Sequence, residues 1–498
     1  MSSGQKSSWY LRLGWTLCCI VLILPLLSWA QSSKKSSSTT PAPAQHSTSQ
    51  PARQSTVQQH QQKSNSGVNR GSSGGATVVH GGPGGGFGHP SSTTNRNGGP
   101  TISVTRTLVA PGHYQPSNRD QTKTLAGGYK EYSQSGRTVR TDATGQVRHV
   151  EVQGIAGKTV INRVPGGGRE VITGRPGART VSWGPNRGYV ERPLRPGYIS
   201  RTYVYGGRSY AYAYREYHYG TFAYYRYVPA YYYGPRFYGW VATPWVAPVA
   251  YPWPVVAYPW FGFYAGYYTP YGFYGSPDLW LTDYLMSENL RMGYDNQHSD
   301  ESGTQANQQV SNAQPTVTPE MKAMIADEVR QQLAAEQAAA AQPPSAAGAA
   351  GSQAPPALSQ KFFVVASNLE VTANGQPCTL TPGDIIERRG KDAGPDGNVA
   401  VEVVSSKKGD CLADSSTPAQ VQLTDLQEMH NQFMQNLDSG LKVLADGQTK
   451  GLPAAPAANA QPVPDGTVTP SSDAGAILLA QDRESTKLES QMSQGNGN

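Results

Sequence analysis

The sequence is short of the groups that do chemistry. It has four cysteines and nine histidines in 498 residues, and no two histidines stand at helical or metal-ligand spacing, which argues against the usual tetrahedral zinc sets. Residues 237–277 carry no charged side chain, so this tract supplies neither a carboxylate nor an amine for acid–base work. Large aliphatic residues are nearly missing from 31–125, where Ser, Thr, Gln and Gly dominate. Without them a chain cannot offset the entropy of ordering, and a disordered spacer is expected there. Beyond residue 30 the long uncharged tract, 237–277, is interrupted by prolines, so no transmembrane helix is expected after signal cleavage.

The apolar stretch that does exist, 15–27, follows Lys6 and Arg12 and ends at Ser28-Trp29-Ala30. This is the layout of a secretory signal (1–30) cut before Gln31. Cys18 and Cys19 would leave with it. The remaining pair, Cys378 and Cys411, is then expected to form a disulfide in the exported chain. In the chain-entropy model a loop of that length is worth about 3–4 kcal/mol.

Tyrosine is the abundant residue. Between Tyr203 and Gly275 lie 21 of the 29 tyrosines, with Trp240, Trp245, Trp253, Trp260 and five phenylalanines. Ring faces and phenol hydroxyls near pKa 10 suit contact better than catalysis. Tyr210, Tyr212 and Tyr214 recur at every second position after Gly206-Gly207, which reads as a hairpin with one aromatic face. These three, with Trp245, Trp253 and Trp260, are the candidate contact surface; the alternative is that the uncharged aromatic tract is covered by the preceding strands. The prolines from Pro244 to Pro259 forbid a spanning helix there and favour extended backbone. Positive charge is concentrated just upstream: 14 Lys or Arg against four acidic residues over 136–215. In an exported protein such a stripe points to anionic envelope polymer, lipid headgroups, peptidoglycan or polysaccharide, and not to nucleic acid.

Composition divides the chain further. A basic β-repeat region (126–200) recurs as Gly136-Arg-Thr-Val139, Gly157-Lys-Thr-Val160, Gly168-Arg-Glu-Val171 and Ala178-Arg-Thr-Val181, a meander of short strands. The aromatic region (201–275) is followed by short helices (276–336), opened by Ser276-Pro277 and Thr318-Pro319. The second helix carries Met321, Ile325, Val329 and Leu333 as a narrow stripe suited to a partner helix. A linker (337–357) leads to a disulfide-bonded domain (358–447). Its strand-like runs end in Thr424 and Gln427, a capping box before the face Leu426, Met429, Phe433, Leu437 and Leu441. This unit is expected to fold alone, and the tail (448–498) to be disordered.

Catalytic motifs are present only as fragments. His80-Gly-Gly-Pro-Gly84 and Gly71-Ser-Ser73-Gly-Gly75 imitate a hydrolase oxyanion loop and nucleophile elbow, but in reversed order and without strands around them. Ser405 and Lys408 fit S-x-x-K alone. Asp392, Asp396 and Gly397 lack the ligand positions of a calcium loop and read as a turn. No enzyme activity, cofactor or metal is expected.

Two stretches carry a resemblance: Ser276-Pro-Asp-Leu-Trp-Leu-Thr-Asp-Tyr-Leu285, and Phe363-Val-Val-Ala-Ser-Asn-Leu-Glu-Val371 followed by Cys378-Thr-Leu-Thr-Pro-Gly-Asp384. Together they resemble a group of uncharacterised exported bacterial proteins, over about residues 136–453. The turn at 380–384 is similar to that of small SH3-like barrels, which implies binding of wall peptides or peptidoglycan. The expected fold is mainly β with extensive disorder: an irregular meander, an aromatic region, short helices and a C-terminal SH3-like barrel closed by a helix. The expected function is an exported, non-enzymatic envelope or surface protein making structural or binding contacts; the alternative is a carbohydrate- or peptidoglycan-binding module.

Overall fold

The structure is a computed structural model that describes residues 113–493, apart from 126–127, 155–156, 164–168, 255–257, 298–315, 342–352, 374–375, 408–410, 412–416, 448 and 450. The signal, most of the spacer and the hydrolase-like fragments at 71–84 lie outside the described residues.

The chain is mainly β. Eleven antiparallel strands run from Gln121–Thr124 to Phe222–Val228, each paired with the next in sequence. The four predicted repeat units are strands of this meander, and it continues through the tyrosine hairpin. Gly206 and Gly207, at φ 55° and 74°, make the two-residue loop that sets Tyr203 opposite Tyr210. A side chain is strained at such φ, and glycine is not.

Alternation gives each face its own row. Across one face Tyr132, Val139, Val150, Ile161 and Val171 stand opposite one another from strand to strand. Across the other run Ile172, Val181, Tyr189, Tyr203 and Tyr210. Each buried aliphatic contributes about 1.5–3 kcal/mol, so both rows need cover.

Helices further along the chain, among six α-helices in the described residues, supply that cover. Two short ones, α1 (Pro235–Val241) and α2 (Pro259–Phe263), each begin on a proline. The aromatic region is therefore partly helical, not extended throughout as its prolines suggested, because a first-turn N–H needs no partner in a helix. Next come α3 (Pro277–Gln297) and α4 (Pro319–Ala341). The α4 stripe of Ile325, Val329 and Leu333 packs into this chain's own aromatic core, where a partner helix had been expected.

The C-terminal strands form a six-stranded antiparallel sheet in the order Phe362–Val364, Ile385–Arg388, Asn398–Ser405, Thr417–Gln422, Leu369–Ala373, Gln376–Leu380. The expected SH3-like barrel does not form, because the first and last of these strands do not pair and the sheet stays open. Cys378 and Cys411 are bonded, with Cα atoms 5.0 Å apart. Intact-mass analysis of the exported chain should show no free thiol before reduction and two after. Replacing both by serine should cost about 2–5 kcal/mol in urea unfolding.

Helix α5 (Leu423–Ala445) changes the reading of this domain. Its first turns place Leu426 and Met429 on the six-stranded sheet, but Phe433, Leu437 and Leu441 enter the aromatic core built by the middle of the chain. The helix is therefore shared between the two cores. Gly440 lies so close to α3 that a Cβ would stand 2.6 Å from Leu281. The capping box is not formed either: Gln422 is the N-cap, without a side-chain bond, and the Gln427 amide donates to Asn431 Oδ1 at 3.0 Å. Asn431 in turn accepts from Tyr227 N–H at 3.0 Å and donates to Tyr225 O at 2.8 Å, covering the last edge of the meander. A covered edge is closed to pairing with another chain.

The tail is also ordered. Helix α6 (Ala474–Ser493) lies across the aliphatic row, with Ala474 and Leu478 against Val190 and Val204, and Met492 beside Val139 and Ile161.

Candidate contact surface

Most of the rings expected to face outward are inside. Tyr210, Tyr214, Trp253 and Trp260 are buried, and Tyr212 and Trp245 are half-buried. For the four buried rings the contact reading is corrected: the period-2 pattern placed the tyrosines on one face correctly, but α3 and α5 cover that face. Met292 of α3 packs with Tyr189, Tyr203 and Tyr210, and Met434 of α5 with Tyr214 and Tyr227.

One carboxylate organises the deepest part of the tract. Asp283, fully buried on α3, accepts from Tyr274 OH at 2.6 Å, Tyr268 OH at 2.9 Å and Tyr271 N–H at 2.6 Å. Lys322 of α4 lies 2.9 Å away and is itself 3% exposed. Trp253 donates from its indole N–H to Tyr274 OH at 2.6 Å and stacks on Trp280. Burial lowers the Lys322 pKa, an effect the Asp283 charge opposes. The ion pair thus ties α3, α4 and the tyrosine loop together, since a buried charge is tolerated only when paired and hydrogen-bonded.

The basic stripe is also engaged from within. Arg163 and Arg169 pair with Glu489, and Arg169 also with Asp482, both on α6. Arg192 pairs with Asp473 at 2.6 Å and Arg195 with Asp465. Arg179 and Arg201 share Glu191 and reach Glu428 on α5. Many of the acidic residues that pair with the stripe come from the far end of the sequence and others, Glu191 and Asp142 among them, from the stripe itself, so its charge is largely answered by the chain.

Around that last group the titration is shifted. Burial pushes Glu170 up to about 7, against the hydrogen bond donated by the Trp183 indole at 2.9 Å. Asp425 is raised to about 6 by burial. Burial would also raise Glu428, but Arg201 and Arg179 hold it down at about 2. Farther along, burial raises Glu336 of α4 to about 8 and Asp438 of α5 to about 6, their oxygens accepting from Tyr238 OH and Tyr227 OH. Shifted groups of this kind occur at functional sites and in structural networks alike; these sit where layers join. Among the described residues no group of three or more His, Cys, Asp or Glu side chains is placed to hold a metal ion. Ser405 is buried and hydrogen-bonds to Tyr267 OH, and Asp396 takes the Asn398 N–H as a turn residue does.

What remains outside is an apron that the sequence reading missed. Val249-Ala250 pairs with Phe273-Tyr274, and Trp245 N–H donates to Gly275 O at 2.7 Å. On this small ribbon Val246 is 109% and Phe273 68% exposed. The half-buried rings of Trp240 and Trp245, 6.5 Å apart, and of Tyr271 border it. The only sequence signal was an aliphatic residue set between Pro244 and Pro248, where the chain has no second face to bury.

Comparison with protein-family models, characterised proteins and solved structures finds no match for this chain.

Proposed function

We propose that this chain is an exported, non-enzymatic envelope or surface protein that works by contact, through the apron around Trp245, Val246 and Phe273. The observation that carries this reading is the contrast between a body whose rings are mostly buried and whose stripe arginines are mostly paired within the chain, and a ribbon on which Val246 and Phe273 are the two most exposed large apolar side chains among the described residues. An exposed apolar patch rimmed by aromatic rings is a common mark of an interaction site. The secretory layout of 1–30 supports an envelope setting.

The test is co-sedimentation of the chain from Gln31 with isolated envelope, wall and polysaccharide fractions. Retention that weakens in Val246→Ser/Phe273→Ser is expected. Absence from every fraction would end this reading.

A further inference from the structure

Resting on that reading, we propose that the apron's partner is the lipid–water interface of a bilayer, with Val246 and Phe273 reaching the acyl chains and Trp240, Trp245 and Tyr271 lying at headgroup level. Two independent features point to lipid and away from sugar. The first is the polar inventory. A sugar site needs side-chain donors and acceptors to meet hydroxyls; in 242–250 there are two candidates, Thr243, turned back to Gly239 O at 2.6 Å, and the Trp245 indole N–H, which is buried away from solvent. On the facing strand, Tyr274 OH is spent on Asp283, and Tyr271 OH meets Pro319 O at 3.4 Å. Aromatic rings without polar partners match the headgroup boundary, where amphipathic rings settle and aliphatic tips go deeper.

The second is charge. Arg236 is the one charged side chain in 227–277 and is exposed. It lies four residues before Trp240 on α1 and so on the same face of that helix. Arg236 can complement an anionic headgroup, and the exposed carboxylate near the apron is Glu320, which follows Pro319 and acts on Tyr271. The apron is small, so the attachment is peripheral and reversible, as for a single modest anchor.

The experiment is vesicle co-sedimentation of the chain from Gln31, which removes the apolar stretch 15–27 that could insert on its own. Vesicles of phosphatidylcholine, and of phosphatidylcholine with phosphatidylglycerol, should both bind. Binding should survive salt that screens surface charge. Val246→Glu and Phe273→Glu should each lower partitioning about tenfold or more, since each loses a buried apolar contact. Both residues are exposed, so near-UV circular dichroism should be unchanged. Arg236→Gln should remove only the preference for phosphatidylglycerol. Failure to bind either vesicle, or binding that persists in both glutamate variants, overturns the lipid assignment. If wall or polysaccharide fractions retain the chain while vesicles do not, the lipid partner is wrong and the contact function stands. Loss of both ends both.

Discussion

Asp283→Asn is expected to destabilise the protein by about 3–5 kcal/mol, the cost of leaving a buried partner charge uncompensated. The residue it strands is Lys322, 4% exposed at its side chain, with no other carboxylate as its salt-bridge partner among the described residues. Tyr268 and Tyr274 lose a charged acceptor at the same time. Urea unfolding would measure the change. Asp283→Asn/Lys322→Met should recover much of it, because removing both charges is far less costly than removing one. A cost below about 1 kcal/mol for the single variant would mean that water reaches this group.

Thermal stability is expected to peak near pH 4–5 and to fall steadily toward pH 8, opposite to the usual behaviour of an acid-sensitive fold. Burial raises Glu336, Glu170, Asp425 and Asp438 to about 8, 7, 6 and 6. Over the range between the unfolded and folded values, the fold holds a proton that the unfolded chain has released. Their stabilising contribution is therefore full below the unfolded values, near 4, and is lost as pH rises through 6 to 8. Several groups oppose this on the acid side, among them Asp120 and Asp142, which burial would raise but hydrogen bonds hold below the ordinary carboxylate range. Burial lowers His430 to about 3, so its contribution fades as pH falls below its unfolded value near 6.5. Glu428, held at about 2 by Arg201 and Arg179 against burial, gives stability that is lost as pH falls through that value. Melting temperatures from pH 3 to 9 test the profile. Glu336→Gln should flatten the stretch between pH 6 and 8 most, since that group titrates last. A midpoint that rises from pH 5 to 8 would contradict the desolvation of these four carboxyls, of which Glu336 and Glu170 are buried and Asp425 and Asp438 half-buried.

The meander was legible because its cues are local. Gly-Arg-Thr-Val units and the Gly206-Gly207 loop encode strand and turn within a few residues, and the structure has both. The side that each row would bury on was not local information. A tyrosine at every second position says that rings share a face, but cover comes from Met292 and Met434, about eighty to two hundred positions away in sequence. Helix α5 misled for a related reason: its apolar stripe is long enough for two cores, and an amphipathic pattern does not say where one core ends.

The tail was misread from composition. Pro, Ala and Gln over 452–464 suggested a coil throughout, yet Ala474, Leu478, Gln481, Ser485, Leu488 and Met492 recur at alternating steps of four and three, a helical stripe visible in the sequence. Gln481 is the polar member and donates to Val171 O, Thr173 Oγ1 and Thr180 O. The apron was the least legible feature, since Val246 and Phe273 differ from their buried neighbours in nothing but where the ribbon turns.

The central claim is that the aromatic tract is the shared core of the molecule. Native-state hydrogen exchange tests it most directly, by comparing peptides from 258–290 with peptides from 426–444. If Phe433, Leu437 and Leu441 share one core with Trp260, Tyr268 and Trp280, both sets should exchange through the same cooperative opening, and Asp283→Asn should accelerate both equally. Rapid exchange across 258–290 with 426–444 still protected would contradict the account, leaving the tyrosines as a loose surface beside an independent C-terminal domain.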